Sequence, residues 1–212
     1  MTPDSPPPIG VILAGGRGWR FGGTDKSFLN LDGRPLLGHV ITRVAPQVGT
    51  LLINTNSADA RYRAFGLRIC GDAPRSTPAT GPLVGLTSVM NELDEGGDGH
   101  STLLSVPVDT PFLPPDLAER LASALAASDA LIAFAATTAR DHPIVALWEP
   151  RSRDPVRELF GHQPTISLHG VMAALGAVRV VFPHSPSDPF FNVNSPQDIE
   201  TAERIAVTMG GA

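Results

Sequence analysis

Leu13 to Lys26 reads LAGGRGWRFGGTDK, directly after the continuous apolar run Ile9 to Leu13. Glycine loses more backbone freedom on folding than any other residue, so five of them in fourteen positions cost order. The cost makes sense where the backbone must approach a ligand closely, because successive N–H groups in such a loop form an anion-binding nest. A short unbroken apolar run is typical of a strand buried on both faces. The loop therefore leaves the carboxyl end of a strand, where open α/β sheets bind ligands. Phosphate is the natural ligand for it.

Three phosphate loops can be weighed against these residues. The dinucleotide fingerprint G-x-G-x-x-G fits at Gly16 and Gly18, but Phe21 stands where the third glycine belongs. The acid expected at the end of the second strand is also replaced, by Asn54 and Asn56. The P-loop pattern wants glycine directly before its lysine, and here Asp25 precedes Lys26. The third option is the loop that cradles a nucleoside triphosphate for nucleotidyl transfer, in which a lysine offsets charge building on the phosphates.

The rest of the chain alternates in the way such a sheet needs. Leu36, Leu37, Val40, Ile41 and Val44 recur at helical spacing, with Pro35 suited to the helix start. TLLINTN (50–56) reads as a second buried strand, Asn56 to Ala64 as a helix and LRIC (67–70) as a third strand. A loop rich in Pro, Thr and Gly (72–81) leads to a helix from Pro82, a buried strand STLLSVPVD (101–109) and an amphipathic helix over 114–128. ALIAFAA (130–136) and HPIVALW (142–148) form a strand pair joined by a polar turn from Thr137 to Asp141. Helices over Arg153 to Phe160 and Ser167 to Leu175, a strand AVRVVF (177–182) and a closing helix capped by Ser195 with Pro196 at its first position complete the chain. The alternation predicts a three-layer, Rossmann-like α/β fold with a mostly parallel central sheet. One domain over 9–212 is expected, behind a loose proline-rich tail over 1–8.

Composition narrows the function further. The chain has 212 residues and a net charge of −5, which argues against a broad nucleic-acid surface. Between Gly15 and Val48, however, five basic residues (Arg17, Arg20, Lys26, Arg34, Arg43) face two acidic ones, an excess that suits a small anion. Cys70 is the only cysteine, so no intrachain disulfide can form and a reducing compartment fits. Ile9 to Leu13 is too short for a signal-peptide core, and no apolar run reaches the ~18 residues of a membrane helix. A cytoplasmic protein with no membrane partner is expected. The histidines show no zinc-ligand spacing, and His142, in a turn beside Asp141, reads as structural rather than as a base.

LAGGRGWRFGGTDK resembles the glycine loop of the molybdenum cofactor guanylyltransferases, L-A-G-G-x-x-x-R-M-G-G-x-D-K, with Phe21 in place of the usual Met. LDGRPLLGHV (31–40), INTN (53–56), GPLVG (81–85), VDTPFLPPDL (108–117), DHPIVAL (141–147) and FNVNSPQDI (191–199) are similar to that family in the same order. The resemblance implies a nucleotidyltransferase that moves GMP from GTP to molybdopterin carrying molybdenum, releases pyrophosphate and uses Mg²⁺. Its product would pass to molybdoenzymes or cofactor-handling proteins. The family's nucleotide contacts fall on Leu13, Ala14, Gly15, Gly16, Lys26, Asn54, Asp72 and Asp109, and its metal ligand on Asp109.

Each of these residues also has a plainer reading. Lys26 and Arg20 would offset phosphate charge, Arg in bidentate fashion and Lys as a mobile point charge, rather than sit as two solvated cations. Asp109 ends the buried run Leu103 to Val108, too far upstream to cap a helix beginning near Pro114, and one carboxylate suffices for Mg²⁺. Asp72, after Gly71, is either a turn former or a nucleotide contact. Asn192 and Asn194 alternate, so they face one side together, toward the acceptor or the metal's outer shell, or else serve turn chemistry before the last helix. Where the family carries a pair of cations ahead of an apolar helix, this sequence has HQPTISL (162–168), with none for the acceptor's phosphate. Base identity stays open, because the guanine signature N-K-x-D is absent. CMP transfer to the same pterin and nucleotide transfer to a sugar phosphate are the alternatives. A non-catalytic cofactor escort is the other, against which Lys26 and Asp109 both stand.

Overall fold

A computed structural model describes residues 6–15, 25–74, 81–184 and 187–210. Its frame is a seven-stranded sheet, built from β1 (Ile9–Leu13), β4 (Thr50–Asn54), β5 (Arg68–Cys70), β6 (Leu103–Pro107), β7 (Ile132–Ala136), β8 (Asp141–Trp148) and β9 (Val178–Val181) in the order β5-β4-β1-β6-β8-β7-β9. β8 runs antiparallel to both its neighbours and every other pairing is parallel, so the expected mostly parallel sheet is observed. Helices α1 (Leu36–Val44) and α3 (Leu117–Ala126) cover one face. α2 (Pro82–Glu95), α4 (Arg153–His162) and α5 (Leu168–Ala174) cover the other.

The pleat of β1 shows how the sequence feeds both layers. Ile12 joins Leu37, Val40, Leu117 and Leu121 on one side, while Val11 and Leu13 join Leu86, Met90 and Val171 on the other. A strand that serves two cores has no polar face to show, hence the unbroken apolar run. The lone Cys70 is buried, and burial pushes its thiol up to about 12. α6 (Pro196–Gly210) closes a third, smaller core with Leu31, Leu36, Phe112 and Val193.

Three local readings change. The helix expected over Asn56 to Ala64 is instead a 3-10 helix, Ala60–Phe65. The Asp59 side chain caps the Arg61 N–H, which starts the helix late, and Gly66 at φ 67° stops it. A small hairpin, β2 (Asn30–Leu31) with β3 (Arg34–Pro35), precedes α1. Its turn residues Asp32 and Gly33 both take positive φ (50° and 76°), the Asp-Gly signature of a type I′ turn. Asp141 and His142 lie inside β8 rather than in a turn. At the end of the proline run, Pro8 is buried and its carbonyl accepts the Gly49 N–H at 2.9 Å.

His142 packs its ring against Phe190, 4.6 Å between centroids. Its Nε2 is buried without a hydrogen-bond partner among the described residues. Burial first, then the Arg140 charge, pushes its pKa down to about 4, while Asp188 and Asp141 pull the other way. The folded state therefore holds His142 neutral where an unfolded chain, titrating near 6.5, takes up a proton. This contribution is full above about pH 6.5 and is lost as pH falls toward 4. His142→Phe should remove it. Urea unfolding at pH 7 and pH 4.5 should show an acid loss smaller by about 2 kcal/mol in the variant; equal losses would contradict the assignment.

Candidate functional site

β5, β4, β1 and β6 end in one row. Leu13 pairs with Asn54 on one side and Pro107 on the other, and Asn54 pairs with Cys70. Parallel strands in this register deliver their following loops to one edge, so Ala14–Gly15, Thr55–Asn56, Gly71–Asp72 and Val108–Asp109 leave together. The ladder continues one residue beyond: Ala14 N–H donates to Asn54 O, Thr55 N–H to Cys70 O (both 2.9 Å) and Val108 N–H to Leu13 O (3.2 Å). Leu13 and Ala14 are buried, and Leu13 spends its side chain on the core, which leaves backbone as what it can offer a ligand. Gly15 is exposed with open space where a side chain would be. Gly16 and Arg20 lie outside the described residues.

Lys26 opens a 3-10 helix, Lys26–Phe28, capped by Asp25, whose side chain accepts the Ser27 N–H and whose carbonyl accepts the Phe28 N–H. Its amine lies 3.1 Å from Asp109 Oδ2 and donates to Asn194 Oδ1 at 2.6 Å. An ammonium has three donors, so one stays free among the described residues. Asp109 Oδ1 is buried and has no hydrogen-bond partner among the described residues. The Asn192–Asn194 segment is strung along the same corner: Val193 N–H donates to Asp109 O at 2.9 Å, and the Thr110 hydroxyl donates to Asn192 Oδ1 at 2.5 Å. Arg140 anchors the approach to it through Asp188 (3.0 Å) and the Phe190 carbonyl (3.2 Å). Asn194 thus reaches Lys26, and Asn192 reaches Thr110, the residue after Asp109.

No group of three or more His, Cys, Asp or Glu side chains able to hold a metal occurs among the described residues. Asp109 is nevertheless a fitting single ligand. Its open, buried oxygen is a hard donor with no other use, and Mg²⁺ is commonly held by one carboxylate together with substrate phosphates and water.

Two strands away, Asn54 donates to Asp72 Oδ1 at 3.2 Å and Asn56 to Asp72 Oδ2 at 2.6 Å. Asn56 Oδ1 accepts the Asp72 N–H at 2.7 Å. Asn56 was not among the expected site residues, nor was Gly85 of α2, the glycine that makes room for this cluster. A Cβ on Gly85 would lie 2.1 Å from Asn54 Oδ1. Tyr62, which holds Asp25, was missed as well. Nothing in the sequence around Tyr62 marks it; Gly85 stands inside the motif GPLVG without showing why.

A groove of about 430 Å³ opens at the same edge, between the start of α2 (Pro82, Leu83), the start of β8 (Pro143, Ile144) and 165–169. Its walls are mostly apolar, with Thr165, Ser167 and His169 as polar groups, and the uncharged HQPTISL segment forms part of one wall.

The model of the MobA-like NTP transferase domain matches residues 10–179. The molybdenum cofactor guanylyltransferase of Rhodopseudomonas palustris (strain BisB5) is 39% identical over 204 residues, 96% of each chain. That of Bradyrhizobium sp. (strain ORS 278) is 38% identical over 198 residues, 93% of this chain and 92% of the relative. Among solved structures, molybdopterin-guanine dinucleotide biosynthesis protein A from Archaeoglobus fulgidus superposes with a TM-score of 0.71 at 19% identity, covering 95% of this chain and all 100% of the other. CMP:2-keto-3-deoxy-manno-octonic acid synthetase complexed with CTP superposes with a TM-score of 0.69 at 15% identity, over 95% and 98%. These two likenesses show the fold.

Gly85→Ala should expel the Asn54 side chain from its bond with Asp72. A buried amide left unpaired costs about 1–3 kcal/mol, against up to about 1 kcal/mol gained from better helix propensity. A net loss of stability together with a displaced Asn54 side-chain amide resonance is expected. An unmoved resonance would show that the glycine is not what makes the room.

Proposed function

The chain belongs to the molybdenum cofactor guanylyltransferases of the MobA-like NTP transferase domain, and we propose that the corner formed by Lys26, Asp109 and Asn194 is where GMP leaves GTP for molybdopterin carrying molybdenum. The observation that carries this placement is the pairing of the Lys26 amine with a carboxylate whose second oxygen is buried and open.

GTP would lie along the sheet edge, from Asp72 and Asn54 at its nucleoside end to Lys26 and Asp109 at its phosphates. That distance is three inter-strand steps, about 14 Å, which suits an extended nucleoside triphosphate. The Gly15 backbone and the glycines after it, Gly16 included, approach the phosphates, and Arg20 adds a second cation. Asp109 Oδ1 would hold Mg²⁺, which when bound neutralises charge on the triphosphate. The acceptor's terminal phosphate oxygen attacks the α-phosphorus in line. A bond forms between that oxygen and phosphorus, the bond to the β-phosphate bridging oxygen breaks, and pyrophosphate departs with it. The attacking phosphate is already ionised near neutral pH, so no base is needed. Lys26 donates its free N–H to the departing phosphates, and Asn194 and Asp109 aim the amine. Catalysis is positioning plus charge stabilisation.

The flat pterin of the acceptor suits the apolar groove beside α2 and β8, where His169 is the only titratable side chain on the walls among the described residues. Asn192 lies on the acceptor's side of the corner. Handover to molybdoenzymes or cofactor-handling proteins follows from the product. No helix among the described residues is long and apolar enough to cross a membrane, and a cytoplasmic, single-domain enzyme over 9–212 fits that chemistry.

Calorimetric titration with GTP, CTP and ATP, each with Mg²⁺, tests the substrate; GMP transfer by wild type and Asp109→Asn tests the corner. Binding of GTP in preference to the others, with transfer down about 100-fold or more in the variant, is expected. Preference for CTP would overturn the guanine assignment. Full transfer by Asp109→Asn would remove Asp109 from the reaction.

A further inference from the structure

Lys26 is the chain's only lysine and Tyr62 its only tyrosine, and the structure connects them through the two residues that flank the lysine. The Tyr62 hydroxyl donates to Asp25 Oδ2 at 2.9 Å and lies 2.7 Å from Ser27 Oγ. With the tyrosine proton committed to Asp25, the serine donates to the tyrosine oxygen. Ser27 is wholly buried and Tyr62 is 1% exposed, its ring edge-on to Phe28 at 4.8 Å. Asp25 Oδ1 completes the clamp by accepting the Ser27 N–H at 3.0 Å.

We infer that Tyr62 is a positioning residue for the transfer reaction, fixing the backbone on both sides of Lys26 so that its long side chain can reach only toward Asp109 and Asn194. The inference rests on the reading of the Lys26 corner given above. A lysine side chain carries about 2 kcal/mol of rotamer entropy, so an amine that must meet a departing phosphate gains from a base that does not move. Arginine supplies all the chain's other strongly basic side chains, and the one lysine stands between two residues that are both held in place. Tyr62 also belongs to the β4–β5 connection, which begins directly after Asn54, the residue that donates to Asp72. One hydroxyl therefore ties the nucleoside end of the site to its phosphate end. Burial pushes the tyrosine up to about 12, so it stays a donor throughout the working range of pH.

The unique lysine makes the test direct. Reductive methylation with ¹³C-formaldehyde labels Lys26 and the chain's N-terminal amine alone, so the Lys26 methyl resonance reads the amine whether or not the protein turns over. In Tyr62→Phe, which keeps the ring against Phe28, that resonance should shift toward the position of a solvated lysine. In unlabelled protein, kcat for GMP transfer should fall about 10-fold while KM for GTP changes less than about 2-fold. Asp25→Asn, which keeps the volume but replaces one of the two accepting oxygens with an NH₂ that cannot accept, so that Ser27 N–H and the Tyr62 hydroxyl cannot both be met, should reproduce both effects and serves if Tyr62→Phe does not fold. An unmoved Lys26 resonance, or a lower melting temperature with unchanged kcat well below it, would overturn the positioning role. A shifted resonance in a protein whose wild type transfers no GMP would preserve the clamp and remove the proposed reaction instead.

Discussion

One ammonium group holds three distant parts of the chain together. Lys26 reaches Asp109 across 83 positions and Asn194 across 168. Each link depends on a different piece of the fold. Asp109 stands where it does because β6 ends level with β1; Asn194 because the segment from Asp188 is laid along Asp109 and Thr110; Lys26 because Tyr62 clamps its neighbours. The ion pair is only partly exposed, about a fifth for each side chain, so its charges are felt more strongly than those of the arginine–carboxylate pairs on the surface.

The sheet supplies the constraint behind this corner. Parallel strands in register release their loops on one edge, and β1 carries the glycine loop at the centre of the four strands that end there. The nucleoside end and the phosphate end of the proposed site then fall on opposite sides of β1. Two small details keep the first of these open: Gly85 leaves space for Asn54, and Asn56 holds Asp72 from behind. The antiparallel β8 turns the far side of the sheet around, which brings its start to the same edge and forms a wall of the apolar groove.

Much of this was legible in the residues, for physical reasons. Unbroken apolar runs marked the buried strands, helical spacing marked α1 and α3, and the glycine loop after the first strand pointed to the edge proposed for the ligand. What escaped was decided by pairing across the chain or by local hydrogen bonds. The direction of β8 depends on which strand it joins. The Asp32–Gly33 hairpin had its turn signal in plain view but only two residues of strand on each side, too few for alternation to register. Asp59 and Gly66 shortened the expected helix around Tyr62. Tyr62 itself looks like any core aromatic until Asp25 and Ser27 are seen around its hydroxyl.

The account stands most directly on where a triphosphate lies. A structure determined with Mg²⁺ and a non-hydrolysable GTP analogue would show it. The account predicts a phosphate oxygen within hydrogen-bonding distance of Lys26 Nζ, the metal on Asp109 Oδ1 and the nucleoside beside Asn54 and Asp72. A triphosphate bound elsewhere, with the Lys26–Asp109 pair undisturbed and Asp109 Oδ1 still without a partner, would contradict it.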